Sequence, residues 1–141
     1  MIKITRVDER LVHGQVAFAW TNSLGADCIL VVNDEAAADK LRATTLKLAA
    51  PAGIKFSIKS VPDAIALLNG TKTDKYKVFV IVGNTDDALR LVENVKDVNH
   101  INLGNMKKTG DRRIITHSLA VDDHDVRNIL AMAQALSLIH I

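Results

Sequence analysis

The residues best suited to chemistry fall in one short block, Arg6-Val-Asp-Glu-Arg-Leu-Val-His-Gly-Gln15. If the chain stays extended here, the two-residue alternation of a strand sends Arg6, Asp8 and Arg10 to one side, so that two guanidinium groups flank one carboxylate. His13 follows, and Gly14, lacking a side chain, permits a tight turn and close approach of a ligand to the backbone. A helix starting at this point presents unpaired N–H groups and the positive end of its dipole to an anion beside His13. These parts suit phosphoryl transfer. Nearby arginines disfavour imidazolium and keep His13 neutral and nucleophilic, while Asp8 orients the arginines or the ring. Guanidinium forks and helix N–H groups then stabilise charge on the equatorial oxygens. The set requires neither metal nor cofactor. A phosphoramidate on imidazole is reactive, which suits reversible relay between proteins if water is excluded.

Delivering those residues to one place needs a strand and then a helix, and the chain repeats that unit. Runs rich in Ile, Val and Phe predict strands at about Ile2–Val7, Asp27–Val32, Lys55–Lys59, Lys77–Val82 and His100–Leu103, with a weaker sixth near Arg113–His117. Helical faces fall at Val16/Trp20/Leu24, Ala37/Leu41/Leu48, Ala64/Leu67/Leu68, Ala88/Leu91/Val92/Val95 and Val126/Ile129/Leu130/Ala133, giving five helices. Pro51 and Gly53 end the second, Pro62 opens the third, Gly70 closes it, and Asp86 and Asp122 are placed to cap the fourth and fifth. The expected fold is a single α/β domain: an open, mostly parallel sheet with helices on both faces and one antiparallel strand near the C-terminal end. In such sheets ligands sit beyond the carboxyl ends of the strands. The His13 loop, Asn33-Asp34, Gly83-Asn84 and Gly104-Asn105 all lie at such ends, and strand order decides whether they adjoin.

Composition narrows the class. The chain has 141 residues, 48% hydrophobic and 24% charged, enough for one core and too few for two ordinary domains. No apolar run approaches the roughly 18 residues of a membrane span and no signal-like segment opens the chain, so a cytoplasmic protein is expected. Cys28, the single cysteine, sits in an apolar run without a disulfide or metal partner and reads as core filler. The net charge of +2 is spread among interspersed signs and aromatics are scarce, which argues against nucleic-acid binding. His100, His117, His124 and His140 show no metal-ligand spacing and read as structural or surface residues. The last helix runs into Ala135-Leu-Ser-Leu-Ile-His-Ile141 without the Gly turn and further strand of another βαβ unit. Residues 136–141 resemble a translated sequencing adapter and are expected to be non-native, making residues 1–141 a C-terminally truncated domain.

The block Arg6-Val-Asp-Glu-Arg-Leu-Val-His-Gly-Gln-Val16 followed by Trp20 resembles the phosphorylation loop of IIB components in the mannose/fructose/sorbose family of the phosphoenolpyruvate-dependent sugar phosphotransferase system. Val32-Asn-Asp-Glu35, Asn102-Leu-Gly-Asn-Met106 and Gly110 match later landmarks in order, so the likeness covers almost the whole chain. The resemblance implies a transferase whose His13 accepts phosphate from a IIA protein or domain and passes it to a sugar at the membrane components IIC and IID. It implies that the protein works at the cytoplasmic face of that permease complex. Arg6, Asp8, Arg10, Gly14 and Gln15 carry over as the surroundings of His13, and Asn33, Asp34, Gly104, Asn105, Met106 and Lys107 as a pocket rim. The family continues through a further strand that this chain is expected to lack. Its sugars include mannose, fructose, sorbose and N-acetylgalactosamine, the Asn102–Met106 segment leaning towards amino sugars. A Met1 start on the first strand suggests a protein separate from IIA, and a homo-oligomer is compatible with the sequence.

Plainer readings stand beside these. Asn33 and Asp34 can cap the second helix, and Gly104-Asn-Met106 can be a turn. Lys107-Lys108 with Arg112-Arg113 can be a solvated loop or a partner surface, while Trp20 and Met106 suit packing. Two other functions remain open. A histidine phosphatase or mutase also uses a histidine after the first strand, but its Arg-His-Gly pattern is broken here by Val12. A non-catalytic effector-binding module is the other, although neither GxGxxG nor GxxxxGK[ST] occurs.

Overall fold

Runs of β-branched and aromatic residues separated by helical spacing force the chain back and forth across one sheet. The computed structural model describes residues 1–135 and 138–141. Its elements run β1 (Ile2–Asp8), α1 (Gly14–Leu24), β2 (Cys28–Val32), α2 (Asp34–Ala38), α3 (Lys40–Ala49), β3 (Lys55–Lys59), α4 (Val61–Asn69), β4 (Val78–Val82), α5 (Thr85–Asn94), β5 (His100–Asn105), β6 (Arg113–Thr116), β7 (Leu119–Val121), α6 (Asp123–Ala135) and β8 (Leu138–His140). Six strands form one sheet in the order β3-β2-β4-β1-β5-β8, and every pairing within it is parallel. β2 and β4, Cys-Ile-Leu-Val-Val and Val-Phe-Val-Ile-Val, are buried at every position, as strands covered on both faces must be. On one face Trp20, Leu24, Ala36 and Leu46 of α1 to α3 pack over Ile4, Ile29, Phe79 and Ile81. On the other, Ala64, Leu68, Leu91 and Met132 of α4 to α6 cover Val7, Leu30, Val80 and Ile101. Among the described residues no helix is long and apolar enough to cross a membrane.

The sheet order matters for the site. β1 lies between β4 and β5, so the end of β1 is flanked by Gly83-Asn84 and by Gly104-Asn105, with the end of β2 one strand further out.

Several expectations need correction. The second helix is two helices: Asp39 takes an extended conformation (φ −117°, ψ 104°) and caps a new helix by accepting from Leu41 N at 3.0 Å and Arg42 N at 3.1 Å. This restart resets the helical phase, so Leu46 turns inward while Leu41 and Leu48 are 78% and 82% exposed. Asp86 does not cap the fourth predicted helix, now α5; Asn84 does, accepting from Asp87 N at 2.8 Å. On α6 the inward face carries Asp125, Asn128 and Met132, and Leu130 points to solvent. The antiparallel strand near the C-terminus is realised as a hairpin, β6 with β7, joined to the end of β5 through Met106.

The chain also supplies the strand it was expected to lack. β8 pairs with β5, Ile101 opposite Ile139, and so covers peptide groups that an open β5 edge would leave unpaired. Residues 136 and 137 of the segment expected to be non-native lie outside the described residues. His100 Nε2 and His140 Nδ1 face each other across this pairing at 2.7 Å, one ring donating and the other accepting. Burial, then the neighbouring His140, lowers the pKa of His100 below its ordinary 6.5.

Two outcomes follow. Leu91→Ala, emptying a fully buried site on α5, should cost about 2–5 kcal/mol in denaturant unfolding, whereas Leu48→Ala should stay within about 0.5 kcal/mol. Because the folded state disfavours charging His100, the His100 contribution is present above pH 6.5 and falls away as pH drops below it. Protection factors at Ile101 and Ile139, with the slower intrinsic exchange at lower pH divided out, should therefore fall between pH 7.5 and pH 5.5.

Candidate active site

β1 alternates, so Ile4, Arg6 and Asp8 share the face covered by α1. Asp8 is 1% exposed and ends the strand. An ionised carboxylate at such depth needs partners for both oxygens. Its Oδ1 accepts from the backbone N and from Nε of Arg10, each at 3.0 Å, and its Oδ2 accepts from Arg10 Nη2 at 2.8 Å and from Arg6 Nη2 at 3.4 Å. The three residues thus meet, though not by extended alternation. The chain turns immediately after Asp8, with Leu11 N donating to Asp8 O at 2.9 Å, and the forked Arg10 side chain folds back onto the carboxylate.

Arg6 is 8% exposed and is held from several directions. Its Nη1 donates to Asn102 Oδ1 at 2.6 Å, and its guanidinium lies 5.1 Å from the centre of the Trp20 ring. Burial lowers the pKa of Arg6 against the opposing pull of Asp8, while the hydrogen bonds to Asp8 raise that of Arg10. Beneath the guanidinium runs Gly104, where a Cβ would stand 2.1 Å from Arg6 Cζ. Gly104 is therefore a floor cut away for Arg6 and not a rim residue.

The turn itself depends on Leu11, which adopts φ 61° although it is not glycine. Its side chain is 2% exposed and reaches Gly83, whose added Cβ would meet Leu11 Cδ2 at 3.3 Å and Asn33 Nδ2 at 3.4 Å. Core packing thus over-determines an unfavourable backbone conformation. Gly14 needs no comparable freedom, since a Cβ there would find only Ala49 O at 3.7 Å, an ordinary contact.

With Val12 buried beneath it, His13 is lifted to the surface as the N-cap of α1 (φ −120°, ψ 116°), its imidazole exposed and making no cap hydrogen bond. The first turn of α1 contains no acidic residue. Its N–H groups and the dipole remain directed at whatever anion lies beside His13. Gly14 and Gln15 are exposed in that turn.

The predicted rim divides. Asn33 caps α2 by accepting from Ala36 N at 2.9 Å and touches the Leu11–Gly83 contact. Asp34 accepts from Val61 N at 2.8 Å and so anchors the start of α4. Asn105 O accepts from Glu9 N at 3.1 Å, and its buried Oδ1 has no partner among the described residues. Met106, 1% exposed, is core: its N donates to Ser118 O and its O accepts from Ala120 N, both at 2.9 Å. Lys107 is exposed, its backbone N bonded to Glu9 at 3.0 Å. Sequence reasoning missed Asn102 and Leu11 as site-builders. A polar residue inside the apolar run Ile101-Asn-Leu103 was a signal for the first; nothing local marks the second. Among the described residues no group of three or more His, Cys, Asp or Glu is placed to hold a metal ion.

This geometry can be set against known proteins. The family model for the sorbose subfamily IIB component of the phosphotransferase system matches residues 2–139. The chain belongs to that family of IIB components. It is 44% identical over 106 residues, 75% of its length, to a probable phosphotransferase enzyme IIB component of Streptococcus pyogenes, spanning 65% of that protein. It is 34% identical over 126 residues, 89% of its length, to the mannose-specific EIIAB component of Escherichia coli, of which it spans 39%. Among solved structures, the N-acetylgalactosamine-specific IIB component 1 of Escherichia coli superposes with a TM-score of 0.93 at 29% identity, over all of this chain and 93% of that one. This IIB chain therefore has a IIB fold as well as a IIB sequence.

Gly104→Ala tests how the site is built. The added methyl must displace the Arg6 guanidinium, so unfolding free energy should fall by about 1–3 kcal/mol, with hydrogen-exchange protection lost first around Asp8 and Asn102.

Proposed function

We propose that this IIB chain is a phosphoryl carrier whose His13 takes phosphate from a phosphohistidine donor and gives it to a sugar. The observation that supports this best is the position of His13: an exposed, uncapped imidazole at the start of α1, three residues along the turn from Arg10, whose guanidinium is fixed by a buried carboxylate. A ring nitrogen of neutral His13 attacks the donor's phosphorus as the bond from that phosphorus to the donor imidazole breaks, and the proton lost from the other nitrogen of His13 is balanced by the one the departing donor ring takes up. The three equatorial oxygens face the N–H groups of Gly14, Gln15 and Val16, whose dipole favours the anion, and the free face of Arg10. Arg6 and Asp8 keep Arg10 in place. In the second step a sugar hydroxyl attacks, the N–P bond breaks and a proton returns to the ring.

The donor is a IIA protein or domain, and the acceptor complex is the membrane pair IIC and IID. A relative that carries EIIA and EIIB in one polypeptide supports the first partnership. Work at the cytoplasmic face of a membrane permease follows from the same reading. The enzyme class is that of protein-phosphohistidine–sugar phosphotransferases.

Incubation with phosphoenolpyruvate, the general phosphotransferase proteins and a IIA protein should place acid-labile phosphate on the wild type. His13→Ala should fall to background while remaining folded, since the side chain is exposed and makes no cap hydrogen bond. Undiminished labelling of the alanine variant would exclude His13 as the carrier.

A further inference from the structure

Glu9 stands one residue beyond the buried carboxylate and reaches across the molecule. Its Oε1 accepts from Arg112 Nη1, 103 positions away, and its Oε2 accepts from Lys107 N at 3.0 Å. Arg112 Nη1 also donates to Lys107 O at 3.0 Å, and Arg112 Nε lies 3.4 Å from Asp125 Oδ2. Asp125 is a firm anchor, 4% exposed, accepting from Thr85 Oγ1 at 2.8 Å and from Asp122 N at 3.1 Å. Arg112 itself is not the solvated loop residue its neighbours suggest, since only 17% of its side chain is exposed.

We infer that Arg112 is a positioning residue for the His13 site, acting through Glu9; this rests on the carrier function proposed above. Residues 9–13 lie past the end of β1, beyond the reach of its strand ladder. Asp8 grips the turn from within, through Arg10. From outside, its ties are the Glu9 N bond to Asn105 O and the Glu9 carboxylate clamped by Arg112 and Lys107 N. Arg112 in turn leans on Asp125, at the head of α6, so the turn bearing the nucleophile is referenced to helices on the far face of the sheet. An isolated surface ion pair would contribute little, but this one is partly buried and networked, one guanidinium bridging Glu9 and Asp125. Misplacing a nucleophile by about 1 Å can cost about 100-fold in rate, which gives the clamp its purpose.

Amide exchange over residues 9–13 should be compared in the wild type, Arg112→Ala, Glu9→Ala and Arg113→Ala. Arg113 pairs with exposed Asp123 and serves as the control. Loss of either clamp partner should speed exchange in that segment about tenfold, with Arg113→Ala unchanged. Unaltered protection would overturn the inference whether or not the protein carries phosphate. In transfer from a phosphorylated IIA, both single variants should lose about tenfold in kcat with KM within about twofold, and the double variant should be no worse than either. Wild-type kcat with a lowered melting temperature would make the pair merely structural, and a rise in KM alone would make it a docking contact. Either result contradicts the assignment. If Arg112→Ala fails to fold, Glu9→Ala and Arg112→Lys, which keeps the charge but loses the planar group that bridges Glu9 and Asp125, carry the same test. An unlabelled wild type would refute the carrier function, leaving exchange to decide the clamp.

Discussion

A carboxylate buried as deeply as that of Asp8 is tolerated only if every oxygen is answered, and the surroundings of the site follow from meeting that demand. Arg10 answers with a fork and its own backbone N–H, which bends the chain out of β1. Arg6 answers from below, and its own burial then calls for Asn102, the face of Trp20 and the missing side chain of Gly104. One ion triad thus fixes a turn, a strand neighbour and a glycine. The geometry of the turn lifts His13 clear of the core while Leu11 and Val12 remain in it.

Sheet order supplies the remaining constraint. Because β1 lies between β4 and β5, the polar ends of those strands flank the end of β1, with Asn33 reached across Gly83. The β6–β7 hairpin is tied to the sheet by Met106, whose backbone bonds to both Ser118 and Ala120, and by Leu119 and Val121, which are buried in the core. Through Glu9, Arg112 and Asp125, the same region is connected to α5 and α6.

Much of this was legible in the residues. Apolar runs with period two or none, alternating with helical spacing, identify the parallel sheet and all but one of its strands, and the Arg6–Gln15 block marks the candidate site. What escaped depended on long-range contacts. Leu11 has no local reason to adopt a positive φ; only the packing of its side chain against Gly83 enforces it. Asn102 and Arg112 acquire their roles from partners about a hundred residues away. Leu41 and Leu48 read as core because a helical phase was carried through Asp39, where a capping carboxylate restarts the helix. Gly104 reads in the sequence as a rim or turn residue, whereas the structure gives it a steric reason that belongs to Arg6.

The central claim is that the Asp8 carboxylate organises the site that charges His13. Asp8→Asn preserves shape and removes the charge on which both arginines converge. The decisive measurement is the rate of phosphate uptake from phosphorylated IIA, at a temperature where circular dichroism shows the variant folded. On this account uptake slows by at least about tenfold, because Arg10 loses the partner that orients it. Uptake at the wild-type rate would contradict it.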